Sequence, residues 1–361
     1  MAIRFVYKSR FLNRFPLLNM TFPKCRIIVA LGIIMLFCLQ LRAEYRTNVH
    51  SISRREGLSN GAVNTIIKDS EGYMWFGTWN GLNRYDGYHI VTFLPGNDSN
   101  SIHNHVIREL FPTAGGPIWM LTNKGVGLYD NIHGRFSSYF TSESEQINYE
   151  NDIAVCHSDT YGTLVSVFGK GIFRYDRAGN QFRKITFEQG SYPLSLTIKR
   201  IHIAGNKTYC ISSGGKLYMM SGARLTEMFQ LPITGALSSS FSATINGQPY
   251  LLITQRTGAA LLVNPETREI QQLKIPDDII SSISVARENE KLWVGTEKGR
   301  IYSFNLSTRK FEVLSPLSNL LSDKTITTRI LSIYESDNDV LWIGTDVNGV
   351  YDLKLNEFPN K

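Results

Sequence analysis

Few side chains in this sequence are spaced as chemistry requires, and those that are point to binding. His103 and His105 lie two apart on the approach to a strand-like run, a spacing that sets two imidazoles on one side of an extended chain, as metal ligation needs. No third ligand accompanies them, so neither a metal nor a cofactor is expected. The string holds no His-Glu-x-x-His, no nucleophile elbow between a strand and a helix, no Gly-rich phosphate loop and no zinc-spaced cysteine pair. Catalysis is therefore not expected. Trp79 stands outside the repeated tryptophan position and beside a turn, where its ring can stack on a sugar face while Asn80 and Asn123 hydrogen-bond hydroxyls. Lys124, Lys170, His103 and His105 fall in loops of the same kind and complete the candidate ligand set.

The elements that must position these residues show themselves by repetition. Trp-x-Gly-Thr occurs at Trp75-Phe76-Gly77-Thr78, Trp293-Val294-Gly295-Thr296 and Trp342-Ile343-Gly344-Thr345. A further copy begins at Trp119, and weaker ones centre on Val165, Tyr209 and Leu252. Equivalent positions recur every 41 to 49 residues, the period of a four-stranded propeller blade. In the first unit, residues 63–68 are rich in β-branched side chains and end at the turn cluster Asp69-Ser70-Glu71-Gly72, so they read as strand a. Residues 73–78, 82–85 and 89–93 follow as strands b, c and d, with Asn80-Gly81 read as a type I′ hairpin turn.

The seventh unit runs out after its third strand, while residues 48–53 belong to no unit of their own. Pairing the two closes the ring and hides an open sheet edge. The expected fold is all-β: a seven-bladed β-propeller of four-stranded blades over residues 44–361, closed by an N-terminal strand that completes the last blade. In it Trp75, Gly77, Thr78, Trp119, Trp293, Gly295, Thr296, Trp342, Gly344 and Thr345 are scaffold, packing blade on blade and making tight turns. Ligands then fall to the b–c and d–a loops, because loops vary while blades do not.

Composition bounds the address and the partners. Residues 1–43 hold seven basic and no acidic side chains, which leaves 31 Lys and Arg against 31 Asp and Glu in the rest. The net charge of +7 is thus confined to the leader and is no nucleic-acid footprint. Residues 27–41 are nearly all apolar, behind Lys24 and Arg26 and ahead of Ala43. At fifteen residues they are short for a bilayer span of about 20, and they read as a secretory signal. An uncleaved anchor is the alternative and would be the one membrane contact; Met20 makes a more ordinary start than Met1. A periplasmic location is expected. Beyond the leader only Cys156 and Cys210 remain, set among apolar neighbours on strands of adjacent blades, and they read as buried free thiols. Asp69 to Trp75 approximates the Asp box of sialidases but spaces its Gly and Trp one residue further on, so Asp69 reads as the cap of its own turn.

The run Glu56-Gly57-Leu58-Ser59-Asn60, Val63-Asn64-Thr65-Ile66, Asp69-Ser70-Glu71-Gly72-Tyr73-Met74-Trp75-Phe76-Gly77-Thr78 and Gly81-Leu82-Asn83-Arg84-Tyr85-Asp86-Gly87 closely resembles the two-component regulator propeller repeat. That repeat is found in the periplasmic sensor halves of hybrid two-component histidine kinases of Bacteroides-type bacteria. The resemblance covers nearly all of residues 44–361, strongly in units one, two, six and seven and faintly in four and five. It implies a sensor for breakdown products of polysaccharides, with an oligosaccharide or other small ligand, further sensor domains or a second copy as partners. In the family a second propeller, a β-sandwich, a membrane helix, a kinase and a receiver follow; the expectation here is the first propeller alone, without kinase or receiver. A stand-alone secreted binding or scaffold protein is the second reading, and a propeller polysaccharide lyase the third.

Overall fold

The computed structural model describes residues 49–355 apart from 97, 99, 142–152, 189–195, 205, 256, 259, 289 and 317–327. The expected leader, the alternative start at Met20 and the boundary at residue 44 lie outside the described residues. No described helix is long and apolar enough to cross a membrane.

Seven antiparallel sheets of four strands each follow one another along the chain. Blade 1 is formed by Val63–Lys68, Met74–Thr78, Gly81–Tyr85 and Ile90–Phe93 as strands a to d. Blades 2 to 6 repeat that order over residues 107–139, 153–184, 198–230, 237–273 and 280–316. Blade 7 takes strands a to c from Ile330–Glu335, Val340–Thr345 and Val350–Lys354, and its strand d is His50–Ile52. The pairs His50↔Asp352, Ser51↔Tyr351 and Ile52↔Val350 close the ring as the orphan residues 48–53 required.

The repeated motif performs three separate jobs. Its tryptophan, on strand b, packs against the strand c tyrosine of the following blade: Trp75 on Tyr129 at 5.2 Å, Trp119 on Tyr175 at 4.7 Å and Trp342 on Tyr85 at 6.2 Å between ring centroids. Its glycine leaves room for strand a of that next blade. A Cβ on Gly77 would lie 2.7 Å from Ile107 Cγ2, one on Gly295 2.5 Å from Ile330 Cγ2, and one on Gly344 2.7 Å from the Val63 carbonyl oxygen. Its threonine builds the b–c turn. Thr78 Oγ1 donates to the Gly81 carbonyl at 2.9 Å and accepts the Asn80 N–H at 3.0 Å, and Thr345 does the same with Gly349 and Asn348 at 2.9 Å each.

That threonine corrects the expected hairpin. Thr78 pairs with Gly81, so the turn residues are Trp79 and Asn80, and the positive φ falls on Gly81 (110°) but not on Asn80. The Thr78 hydroxyl satisfies the turn, and the Asn-Gly pair need not adopt the type I′ geometry.

Where the tryptophan is lost the register persists. Tyr209 and Leu252 occupy the same place in strand b and are fully buried, but in blade 3 the place falls to Leu164 and not to the expected Val165, because the b–c turn there is one residue longer and Val165 faces blade 2. Apolar clusters lie between neighbouring blades, each strand sheet facing the next, as stacked repeats demand. Cys156 and Cys210 meet in the cluster between blades 3 and 4 as free thiols, and burial pushes the Cys210 thiol up to about 12.

Candidate functional site

In six of the seven blades, strand a slips register against strand b at its first residues. The shifts fall between Val63 and Thr65, Ile107 and Glu109, Ile198 and Arg200, Leu237 and Ser239, Ile280 and Ser282, and Ile330 and Ser332. Blade 3 pairs without a shift. A bulge places one extra residue against its partner strand, bends the chain and re-aims a side chain. The extra residues Asn64, Arg108, Ser281 and Leu331 line a central channel of about 880 Å³.

The bulges also lock neighbouring blades. A carbonyl displaced from the ladder must find another donor, and the adjoining blade supplies it. Asn64 Nδ2 donates to the Ile107 carbonyl at 2.9 Å, Ser281 Oγ to that of Ile330 at 2.6 Å, and Ser332 Oγ to that of Val63 at 3.0 Å.

Strands a of all seven blades line the channel, joined by Trp79, Asn123, Gln255 and Glu297 from the ends of strands b and their turns. Trp79 is 53% exposed and lies at this b–c mouth. A second ring, Phe241 on strand a of blade 5, is 39% exposed within the lining. Asn123 Oδ1 accepts from Arg108 Nη1 at 2.9 Å, and Arg329 Nη1 stands 3.8 Å from Glu297 Oε1. Gln255 is buried, its Oε1 accepting the Thr234 N–H at 2.7 Å, so it holds a d–a loop in place.

Of the residues expected from sequence, Trp79 and Asn123 meet at the channel. Asn80 does not line it; its Oδ1 sits 2.9 Å from His105 Nδ1, tying the b–c turn of blade 1 to the d–a loop that follows. Lys124 is exposed on the turn of blade 2 and Lys170 half-buried on that of blade 3, both outside the lining.

The histidine pair is a correction. His103 and His105 do not share a face: His105 meets Asn80, while His103 turns into blade 2 with Nε2 2.8 Å from Thr122 Oγ1 and Nδ1 3.0 Å from Ser138 Oγ. With both nitrogens bound to hydroxyls and its pKa pushed down to about 4 by burial, His103 is a neutral structural group. His202 on strand a of blade 4 is similar, pushed down to about 3 by burial and by Arg200, with Nε2 2.8 Å from Ser240 Oγ. Ser59, in the string Gly57-Leu58-Ser59-Asn60-Gly61, is bonded to Thr78 Oγ1 at 3.2 Å and Asn83 Nδ2 at 2.8 Å, with no histidine among these partners.

Asp69 caps its turn as expected. Its Oδ1 accepts the Glu71 and Tyr73 N–H groups at 3.0 and 2.9 Å, and its Oδ2 accepts Trp75 Nε1 at 2.6 Å. Residues 57–80, which contain the bulge, this cap and the first Trp-x-Gly-Thr, match the two component regulator propeller family model. This stretch is similar to a two-component regulator propeller repeat.

Among solved structures the chain is similar to the extracellular domain described as that of the hybrid two component system BT3049 from B. thetaiotaomicron. The TM-score is 0.66 at 22% identity, over 85% of this chain and 42% of that one. It is also similar to the extracellular domain of BT4673 from the same organism, described in one structure as a one component system. There the TM-score is 0.62 at 19% identity, over 86% of this chain and 40% of that one. A further BT4673 structure, described as a hybrid two component system, gives 0.61 at 19%, over 85% and 40%. At these identities the likeness is one of fold, and the chain spans about two fifths of the length of the domains it matches. No curated protein matches the sequence.

Sequence reasoning missed Arg108, Arg200, Arg329 and Phe241. It assigned binding to loops and core to strands. The available signal was polar residues inside an innermost strand, as in Ile107-Arg108-Glu109-Leu110 and Ile198-Lys199-Arg200-Ile201-His202, which a fully packed strand would not contain.

Proposed function

We propose that this propeller is the ligand-sensing part of a two-component signalling protein, facing the periplasm and binding a polysaccharide breakdown product at the b–c mouth of its channel. The observation that carries the reading is Trp79: a large aromatic ring 53% exposed, placed by a two-residue turn at the edge of a cavity whose lining is polar and apolar in similar measure. An exposed aromatic ring at the rim of a cavity offers a flat face on which the C–H face of a sugar can stack. Asn123 and Asn64 in the lining offer the amide groups that hydroxyls need. The repeat at residues 57–80 and the fold shared with extracellular domains of two-component systems support the signalling role.

Substitution Trp79→Ala tests the site. The side chain touches little of the core, so thermal melting should be unchanged, while oligosaccharide binding measured by calorimetry should be abolished. Unchanged affinity would remove Trp79 and the b–c mouth from the proposal.

A further inference from the structure

Trp79 is not alone in being left uncovered by the channel. Phe241, on strand a of blade 5, pairs with Leu252, which holds the place of the motif tryptophan in strand b. At the same register strand a carries Ile67, Cys156 and His202 in blades 1, 3 and 4, and all three are buried. Phe241 instead lines the channel with 39% of its surface exposed. Its neighbours hold it there. Ser240 Oγ meets His202 Nε2 at 2.8 Å and Ser242 Oγ donates to the Ile203 carbonyl at 2.9 Å, so the flanking side chains fasten to blade 4 and the alternation of the strand turns Phe241 away from that blade. A ring already fixed by its strand loses little freedom when a ligand covers it.

The two rings stand at different depths and on different walls. Leu252 precedes the end of its strand b at Gln255 by three residues, about 10 Å of extended chain, whereas Trp79 lies just beyond the corresponding end at Thr78. Blades 1 and 5 are three steps apart around the ring of seven. A single pyranose ring does not cover both. The channel volume of about 880 Å³ also lies near the top of the range of about 300–1,000 Å³ usual for small-molecule sites.

We infer that Phe241 forms a second stacking subsite inside the channel, and that the ligand is an oligosaccharide of several units running from Trp79 at the mouth inward to Phe241. This rests on the proposed oligosaccharide-binding role and adds to it an inner subsite and a requirement for length. Ser242, whose hydroxyl proton is committed to Ile203, keeps lone pairs that accept from a sugar hydroxyl beside the ring.

The test uses the purified full chain and size series of gluco-, manno-, galacto- and galacturono-oligomers from one unit to six. In at least one series, calorimetry should show affinity rising about tenfold or more between the dimer and the hexamer. Phe241→Ala should remove that gain and leave the affinity for the dimer and the melting temperature unchanged, while Trp79→Ala should remove binding at every length. Phe241→Leu keeps an apolar side chain without a ring and should lose the gain as well, so it decides the matter if the alanine variant melts early. A dimer that binds as tightly as its hexamer, or a Phe241→Leu variant that keeps the whole gain with length, would overturn the inner subsite and leave the mouth standing. Silence from every series would overturn the two together.

Discussion

His103 and His202 show how far a single side chain can depart from what its neighbours in sequence suggest. In a string of loop residues His103 reads as a solvated or ligating imidazole, yet its partners Thr122 and Ser138 come from strands b and d of blade 2, distances in sequence that no local pattern encodes. Both histidines have pKa values depressed from 6.5, to about 4 and about 3. The unfolded chain therefore binds protons that the folded one refuses, and stability must fall as pH drops below 6.5. Each histidine contributes a loss of about 1–2 kcal/mol between pH 7 and pH 5. The window lies above that of the carboxylates held low by hydrogen bonds, such as Asp86 and Asp159. Urea midpoints measured at pH 7 and pH 5 should differ accordingly. In His103→Gln, which keeps a polar side chain but cannot titrate, the difference should shrink; an unchanged pH dependence would exclude His103 as its source.

At the scale of the strand, the motif glycine is explained by what the next blade places on it. Gly344→Ala would push a methyl group against the Ser332 hydroxyl and the Val63 carbonyl where blade 7 meets blade 1, and the expected cost is about 1–3 kcal/mol in chemical denaturation. Gly115→Ala, with nothing within 4 Å of the added carbon and no positive φ, is the control and should stay within about 0.5 kcal/mol of the parent. Equal effects would mean that helical or turn propensity, and not blade contact, governs these positions. Strand identity and order were legible because Trp, Gly and Thr recur at steps of 41 to 49 residues, even where Tyr209 and Leu252 stand in for Trp; in blade 3 the expected Val165 was one residue off, the stand-in being Leu164. The bulges were not. Asn, Arg and Ser all occupy the extra position, so no residue type announces a slip that hydrogen-bond register alone decides. The candidate site inherits that blindness: Trp79 and Asn123 could be found from their turns, while the arginines, aimed by bulges, could not.

The whole molecule holds its shape by closure. Ile52 is buried, and its strand covers the outer edge of blade 7 through three residue pairs. Deleting His50–Ile52 should leave Val350–Lys354 as an open edge and turn a monodisperse species into aggregates by size-exclusion chromatography. A deletion variant that eluted and melted like the parent would show that closure contributes nothing. The ring also fixes an order of events. Synthesis delivers His50–Ile52 about 300 residues before its partner strand, a delay of about 15–60 seconds at ordinary rates. For that interval the opening strand has no mate and the inner strands face an unfinished circle. Until the circle is complete the channel has no wall on one side, and an incompletely delivered chain encloses no pocket.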